Sequence, residues 1–502
     1  MPKTRVVLDP HYTIAPVDPR IFGGFLEHLG RCVYEGVYHP GAPGAEESGF
    51  RQDVLGGLRG MNLTAVRYPG GNFASGYHWM DGIGPQDRRP TVRELAWQSI
   101  EPNRFGTDEF IQLARLMNWA PMLTVNLGTG TPEEARNWVE YCNSPAGTRY
   151  ADLRGKNGLK DPCRVGLWCL GNELDGSWQL GRVPAEQYAL LARQAAQMMK
   201  DTDPHIETVA CGSSTMSGRS YMEWDRMVLE YIGPYADYIS LHRYADNPKN
   251  NTANFLAITH TIDLRIEHMD AVCRLVQAKT RSKKRHYLCF DEWNVWYRTT
   301  GPENANGRGK FAPHLLEEHY NLEDALVVAG FLNSFIRHAD TVKIANIAQI
   351  VNVIAPILTR DEQILLQSIY YPFAMVSARR DGVAIQPVVI GPGYESLDYG
   401  WVNEIDASAI LGDGVLHAFL TNRNMSESAE VEIDPAGAKI QSVLSAEVVY
   451  GSSSKDSNTF ENPHNVVSRP LRTGILRDGK AVLRLPPLSF AAVTLKISQA
   501  RG

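Results

Sequence analysis

Eight short apolar runs alternate with helical patterns between about residue 20 and about residue 380, and each run is followed by a turn or a polar cluster. Alternation of this kind is typical of repeated strand–helix units around a parallel sheet. Eight such strands close a barrel, so we predict a (β/α)8 barrel of the α/β class. The predicted strands are residues 21–26, 64–67, 122–126, 165–170, 207–212, 238–242, 286–290 and 342–345.

Two of the intervening helices can be predicted in detail. Thr131 offers an N-cap hydroxyl, Pro132 suits the first helical position, and Glu134 is the third helical residue. The apolar residues that follow repeat with helical spacing, which predicts one amphipathic helix from residue 132. A second stripe with the same spacing begins after Pro184 and predicts another.

Beyond about residue 385 the helical spacing fades, and short segments of alternating polarity take over. Gly-, Pro- and Ser-rich turns separate these segments, as at 451–454, which is typical of a β-sandwich. We therefore expect a catalytic barrel over residues 16–384 and a jelly-roll-like sandwich over 385–502. The N-terminal strand within residues 1–15 is expected to join the sandwich.

Charge and composition exclude several classes of function. Lys and Arg total 50 against 56 Asp and Glu, which gives a net charge of -6. A chain without an excess of positive charge is not expected to bind nucleic acid or an anionic membrane. The first residues contain no long apolar stretch, so we expect no secretory signal and a cytoplasmic protein. Seven scattered cysteines lack metal-site spacing and are expected to be buried free thiols, and we expect no metal and no cofactor.

Two glutamates stand where chemistry is expected in a barrel, at the carboxyl ends of strands. Asn172-Glu173 follows the fourth predicted strand and Asp291-Glu292 follows the seventh, so the two glutamates can face each other across the barrel mouth. Paired carboxylates suit glycoside hydrolysis. A separation of about 5–5.5 Å implies retention of anomeric configuration and one of about 6.5–9.5 Å implies inversion, and the sequence leaves that choice open.

Other strand ends supply groups that match a neutral, hydroxyl-rich ligand. Arg67 is expected to keep a neighbouring carboxylate ionised. His28 and His242 are interpreted as hydrogen-bonding residues, since no metal-binding spacing accompanies them. The Gly- and Asn-rich segment 301–310 resembles a lid beside the seventh strand.

Four segments, 67–73, 171–176, 291–297 and 345–352, together resemble the α-L-arabinofuranosidases of glycoside hydrolase family 51. The resemblance spans nearly the whole chain. It implies a retaining, exo-acting enzyme without a cofactor that releases terminal α-L-arabinofuranosyl units from oligosaccharides derived from arabinan or arabinoxylan. Glu173 would be the acid/base and Glu292 the nucleophile.

The resemblance also implies an intracellular hexamer and a set of residues around the sugar. Arg243 departs from the expected pattern, which leaves the preference for the leaving group open. Two alternatives remain: an endo-acting glucanase or xylanase on the same barrel, and a carbohydrate-binding protein that has lost catalysis. The implied substrate-binding residues are Glu27, Arg67, Asn72, Asn172, Tyr244 and Gln349, with Trp97 and Trp296 as apolar walls.

Overall fold

The computed structural model describes residues 3–45, 48–297, 307–471 and 474–498. Eight parallel strands, β1–β8, close a barrel in chain order, which confirms the predicted fold class. Each of them overlaps one of the predicted strands. They are Gly23–Phe25, Ala65–Tyr68, Ala120–Val125, Leu167–Leu170, Glu207–Ala210, Tyr238–Ala245, Tyr287–Val295 and Val342–Ala348.

Helices surround this barrel, and both helices predicted in detail are present. In the first, the Thr131 side chain accepts a hydrogen bond from the Glu134 backbone N–H at 3.1 Å, as an N-cap does. The α-helices are Gln52–Met61, Thr107–Met117, Pro132–Asn143, Arg149–Lys156, Ala185–Thr202, Glu223–Ile232, Thr252–Leu256, His260–Thr280, Leu322–Arg337 and Tyr370–Ser377. Short 3-10 turns occur at Pro19–Phe22, Asn72–Gly76, Trp79–Gly82, Gln86–Arg88, Gly233–Tyr235 and Ala257–Thr259.

Three barrel strands, β6, β7 and β8, extend three or more residues beyond their predicted ends, and β8 ends at Ala348 instead of residue 345. The expected ends at residues 242 and 290 are wrong, because pairing between β6 and β7 continues through His242 with Glu292 to Ala245 with Val295. Polar residues suggested a loop at this point in the sequence. In the barrel they remain in strand conformation because the mouth is lined by hydrogen-bonding partners from neighbouring strands, so their polar groups are satisfied.

The barrel interior is filled below its mouth. A buried cluster of mostly small and medium apolar side chains, with one tyrosine, closes it, which is how a barrel of this strand number is packed. Polar chemistry is thereby confined to the carboxyl ends of the strands. The cluster consists of Met122, Leu167, Cys169, Val209, Tyr238, Cys289 and Ile344.

A β-sandwich follows the barrel and confirms the C-terminal part of the predicted fold. Its two sheets enclose a separate apolar cluster, to which Val6 from the N-terminus contributes. One sheet has the order Val388–Ile390, Lys3–Val7, Ala429–Asp434, Lys480–Leu485 and Gly474–Arg477. The other has the order Thr13–Pro16, Val383–Ile385, Ile405–Gly412, Val415–Asn422, Ser489–Ile497, Ile440–Tyr450 and Ser468–Pro470.

The N-terminal strands belong to these sheets. Lys3–Val7 pairs in parallel with Ala429–Asp434, and Thr13–Pro16 pairs with Val383–Ile385. The division of the chain at residue 384 stays a prediction. The described residues also contain three two-stranded ribbons: Val92–Arg93 with Ile100–Glu101, Ile357–Arg360 with Gln363–Leu366, and Gly393–Ser396 with Gly400–Asn403.

Three smaller expectations can also be compared with the structure. All seven cysteines are buried free thiols, as predicted. Residues 301–306 of the expected lid lie outside the described residues. In the described remainder of that segment, the backbone carbonyl of Lys310 accepts a hydrogen bond from the Ile100 backbone N–H at 2.8 Å. Among the helices in the described part of the chain, none combines the length and the apolar character that crossing a membrane requires.

Candidate active site

Glu292 lies buried near the mouth of the barrel, held by donors from two other strands. Arg67 on β2 donates from Nη1 to Glu292 Oε1 at 2.7 Å, and the Tyr244 hydroxyl on β6 donates to Oε2 at 2.9 Å. Arg67 is itself fully buried and stacks on Phe25, 5.0 Å from its ring centre. Both oxygens of Glu292 are therefore fixed in direction before any ligand arrives.

A β-bulge explains how two adjacent acids of β7 come to contact the same residues. Side chains alternate between the faces of a strand, so Asp291 and Glu292 would normally point in opposite directions. Between Ser240 and His242 of β6 the register shifts, because β7 places two residues opposite one. The extra residue turns both carboxylates toward the barrel interior.

Glu173 approaches from the opposite side of the mouth, three residues after β4. Its backbone is left-handed, with φ of 43°, and the residue follows Gly171 and Asn172 in a tight turn. Its Oε1 lies 2.8 Å from His242 Nδ1, and its Oε2 accepts from the Trp178 indole N–H at 2.6 Å. The turn and these two partners aim the carboxylate at the centre of the mouth.

The two glutamates lie close together. An oxygen of Glu173, a nitrogen of His242 and an oxygen of Glu292 all lie within 4.8 Å of one another. This spacing is nearer to the separation of about 5–5.5 Å found in retaining glycosidases than to the separation of about 6.5–9.5 Å found in inverting ones. A water molecule between sugar and carboxylate would need the larger gap.

His242 joins the two carboxylates and carries a proton. Burial by itself would lower its pKa, but the negative charges of Glu292 and Asp291 outweigh burial and raise the pKa to about 10. The imidazole is therefore a cation at neutral pH, with both nitrogens donating. A protonated imidazole has no free lone pair, so a metal ion would have to displace this proton before it could bind at the cluster.

The two glutamates differ in their environments. Burial raises the pKa of Glu292, against the opposing influence of His242 and Arg67. Burial acts in the same direction on Glu173, but the hydrogen bonds from His242 and Trp178 prevail and lower its pKa. In the unliganded site the proton shared between Glu173 and His242 thus resides on the imidazole.

Asp291 is a functional residue to which sequence reasoning assigned no role. It is 1% exposed and bridges the two cations of the site: its Oδ2 lies 3.4 Å from Arg67 Nε and its Oδ1 lies 3.3 Å from His242 Nε2. Ser240 also donates to it. The acidic residue directly before Glu292 was the available signal, although its inward direction depends on the bulge.

The predicted sugar-binding residues gather around this pair. Asn172 Oδ1 accepts from Arg67 Nη2 at 2.8 Å, and its amide lies 3.4 Å from Asn72 Oδ1. The Trp296 ring packs edge-on against Tyr244, with ring centres 5.3 Å apart. The structure therefore brings these predicted residues to the mouth.

Glu27 is held at the site by a separate set of hydrogen-bonding partners. It accepts from the Trp97 indole N–H at 3.1 Å and from the Gln349 amide at 3.2 Å, and burial raises its pKa to about 8. His28, by contrast, contacts neither catalytic candidate. Its Nδ1 lies 2.8 Å from Glu101 and its Nε2 lies 2.8 Å from the Tyr68 hydroxyl.

Two facing carboxylates at the mouth of a (β/α)8 barrel, lined with amides and indoles, are typical of a glycoside hydrolase. Comparisons with known proteins agree with this class. The family model described as α-L-arabinofuranosidase 1 domain matches residues 57–261, and the model described as α-L-arabinofuranosidase C-terminal domain matches residues 291–489.

Relatives and solved structures extend the similarity to the full chain. An intracellular exo-α-(1→5)-L-arabinofuranosidase from Acetivibrio thermocellus is 41% identical over 96% of this chain and 100% of its own length. An exo-α-(1→6)-L-arabinofuranosidase from Bifidobacterium longum is 38% identical over 98% of this chain and 97% of its own. The structure of a family 51 α-L-arabinofuranosidase from Bifidobacterium longum superposes with a TM-score of 0.95, at 35% identity, covering 99% of this chain and 100% of that one. This chain belongs to the α-L-arabinofuranosidases of glycoside hydrolase family 51.

Proposed function

We propose that the protein is an exo-acting α-L-arabinofuranosidase that removes terminal arabinofuranosyl units from arabino-oligosaccharides by a retaining double displacement. The observation that carries the proposal is the spacing within 4.8 Å of Glu173 and Glu292 around His242. At that distance one carboxylate can reach the anomeric carbon while the other reaches the glycosidic oxygen. The names of the full-length relatives support the sugar.

In the first step Glu292 attacks the anomeric carbon and the bond to the leaving oxygen breaks. Arg67 and Tyr244 hold the two oxygens of Glu292, so the nucleophile is directed without rearrangement. Glu173 donates a proton to the departing oxygen. We infer that this proton comes from His242, whose Nδ1 lies 2.8 Å from Glu173 Oε1.

In the second step water hydrolyses the glycosyl ester, and Glu173 removes its proton. Once Glu292 is esterified its negative charge disappears, and a carboxylate that loses a negative neighbour has a lower pKa. Glu173 is then ionised and suited to act as a base. The same residue thus serves both steps, and arabinose leaves with its configuration retained.

The remaining residues at the mouth hold the sugar ring. Carboxylate, carboxamide and phenol groups match hydroxyls, while indoles cover the C–H face of a ring. Because its pKa is raised to about 8, Glu27 is mostly protonated at neutral pH and can donate to a hydroxyl as well as accept. The proposed ring-binding residues are Glu27, Asn72, Asn172, Tyr244 and Gln349, with Trp97 and Trp296 as walls.

The linkage, the location and the assembly are further parts of the proposal. The relatives act on (1→5) and (1→6) linkages according to their names, and we propose short arabinan- or arabinoxylan-derived oligosaccharides as substrates. An intracellular location is supported by the name of the Acetivibrio thermocellus relative. Family resemblance supports a hexamer, and light scattering coupled to gel filtration measures its mass. The relatives over the full chain do not favour an endo-glucanase, an endo-xylanase or an inactive binding protein.

The experiment that tests the proposal is replacement of each glutamate followed by chemical rescue. Glu292→Ala should remove nearly all turnover of an aryl α-L-arabinofuranoside, and added azide should restore part of it by occupying the space of the lost nucleophile. Glu173→Ala should retain the first step on a substrate with a good leaving group and slow the second. Near wild-type activity of Glu292→Ala would refute the assignment.

A further inference from the structure

Arg265 is a buried cation that donates to backbone carbonyls. Its side chain lies on helix His260–Thr280 and is 1% exposed. Burial lowers the pKa of Arg265 to about 10, so the guanidinium keeps its charge at neutral pH. Burying a charge is costly unless hydrogen bonds offset the cost, so the partners of this guanidinium indicate its purpose.

The two carbonyls belong to neighbouring strands of the barrel. Nη1 donates to the backbone oxygen of His242 on β6, and Nη2 donates to that of Ser213, three residues after β5, at 2.5 Å. Backbone pairing between β5 and β6 ends at Ala210 with Ile239. Arg265 therefore bridges the two chains beyond the point where their pairing stops.

Gly212 shows how closely these two chains approach each other. A Cβ atom at position 212 would lie 2.1 Å from the backbone oxygen of Ser240, closer than real contacts allow. Ser213 is fixed further by Asp225, which accepts from its backbone N–H at 2.7 Å. The guanidinium thus spans two segments that already touch.

Both bridged segments lead to the acid/base candidate. His242 Nδ1 on β6 lies 2.8 Å from Glu173 Oε1. On the other segment, Ser214 donates through its backbone N–H and its hydroxyl, each at 3.0 Å, to Asp175 Oδ2. Asp175 lies two residues after Glu173 in the same turn. The bridge therefore links the turn that carries Glu173 to the imidazole that Glu173 contacts.

We propose that Arg265 is a positioning residue for proton transfer, which holds His242 against Glu173, and that Asp175 ties the turn of Glu173 to the same bridge. This inference rests on the proposed function, and neither residue belongs to the proposed sugar-binding set. A small displacement of the acid slows protonation of the leaving oxygen. Glu292 has its own partners and keeps its position, so the defect is specific to proton transfer.

A comparison of two substrates tests this role. Methyl α-L-arabinofuranoside must be protonated as its alcohol departs, whereas a dinitrophenyl α-L-arabinofuranoside releases a stable anion without a proton. Arg265→Lys keeps a cation, but one ammonium cannot reproduce the fork to both carbonyls. It should lower kcat/KM for the methyl glycoside about tenfold more than for the dinitrophenyl glycoside, a part of what a general acid contributes.

Arg154→Lys is the matched control. Arg154 is likewise buried and donates to backbone carbonyls, those of Tyr141, Ser144 and Leu159, which are not among the site residues. This variant should lose thermal stability, as Arg265→Lys does, yet keep the wild-type ratio of kcat/KM between the two substrates. A merely structural role for Arg265 predicts an unchanged ratio in both variants.

Asp175 provides a second test that does not depend on the folding of Arg265→Lys. Asp175→Ala removes the acceptor for Ser214 and should change the substrate ratio in the same direction. Asp175→Asn keeps an acceptor oxygen and should restore most of the wild-type ratio. Its amide nitrogen can occupy the place of Oδ1, a buried atom without a hydrogen-bond partner among the described residues.

An unchanged substrate ratio in folded Arg265→Lys or in Asp175→Ala would overturn the proposal. An equal change of the ratio in Arg154→Lys would also overturn it, because the effect would then be general destabilisation. Circular dichroism and thermal unfolding of each variant establish which of them fold. Failure of the proposed function is a different result, in which the wild type itself hydrolyses neither substrate.

Discussion

Arg67 on β2 crosses the barrel mouth to Glu292 on β7, with Nη1 and Oε1 2.7 Å apart. Its second terminal nitrogen donates to Asn172, the neighbour of Glu173, at 2.8 Å. A single buried guanidinium thus fixes the positions of both catalytic candidates. The planar fork of arginine suits this task because its donors point in set directions, which a lysine ammonium cannot reproduce.

Arg67→Lys should therefore keep the charge but lose the geometry. We expect kcat/KM to fall about 100-fold, since the hydrogen bonds to Glu292 and Asn172 cannot both form. Because the lysine ammonium cannot reproduce the directed hydrogen bond to Glu292, ionised Glu292 should be stabilised less and its pKa raised further, so the acidic limb of the profile should move to higher pH. Steady-state kinetics across pH measures both effects. As a control, Arg226→Lys at an exposed helical ion pair should leave the profile unchanged, and a loss below about threefold for Arg67→Lys would contradict the account.

Asp291→Asn should uncouple the two cations of the site. The substitution removes a negative charge next to His242 and Arg67, so the pKa of His242 should fall. Both glutamates are still present in this variant, but Arg67 and His242, which hold them, lose the carboxylate that links them. Activity should therefore drop about 10- to 100-fold. NMR titration of the His242 ring measures the pKa. Ser240→Ala, which removes one donor to Asp291 and no charge, should have the smaller effect; an unchanged His242 titration in Asp291→Asn would be inconsistent with the bridge.

His242 should also make stability depend on pH. Its folded pKa of about 10 lies above the ordinary value of 6.5, so its contribution to the free energy of unfolding is complete below pH 6.5 and is lost as pH rises toward 10. The difference in stability between wild type and His242→Asn should therefore shrink across that interval. Thermal unfolding at a series of pH values measures the difference.

His417 in the sandwich is a control of opposite sign. Burial, with Arg379 nearby, lowers its pKa to about 4. Its contribution is present above pH 6.5 and is lost as pH falls toward 4. The stability difference between wild type and His417→Asn should thus grow with pH between these values. If the stability differences of the two variants changed with pH in the same way, the ionised contacts of His242 with its neighbouring carboxylates would not act as described.

The barrel itself was predictable from sequence because each strand is a short apolar run bounded by turn residues. The positions of Glu173 and Glu292 were predictable for the same reason, since each acid follows a recognisable run. The strand ends were less predictable. A polar residue in a sequence suggests a loop, whereas a closed barrel offers His242 and Glu292 partners on adjacent strands and keeps them in extended conformation.

The roles of Asp291 and Trp178 could not be predicted, for two physical reasons. Asp291 faces inward only because a bulge interrupts the alternation of β7, and the bulge depends on pairing with β6. Trp178 reaches Glu173 only because the loop folds back over Gly176. Both contacts depend on tertiary geometry that local residue patterns do not encode. The spacing of the sequence motifs, by contrast, was sufficient to predict where the site lies.

The stereochemistry of the first product tests the central claim most directly. Proton NMR recorded within seconds of adding enzyme to an aryl α-L-arabinofuranoside distinguishes the two anomers of free arabinose before they interconvert. With Glu173 and Glu292 acting as acid/base and nucleophile, the α anomer should appear first. Initial release of the β anomer would mean direct attack by water and would contradict the double displacement.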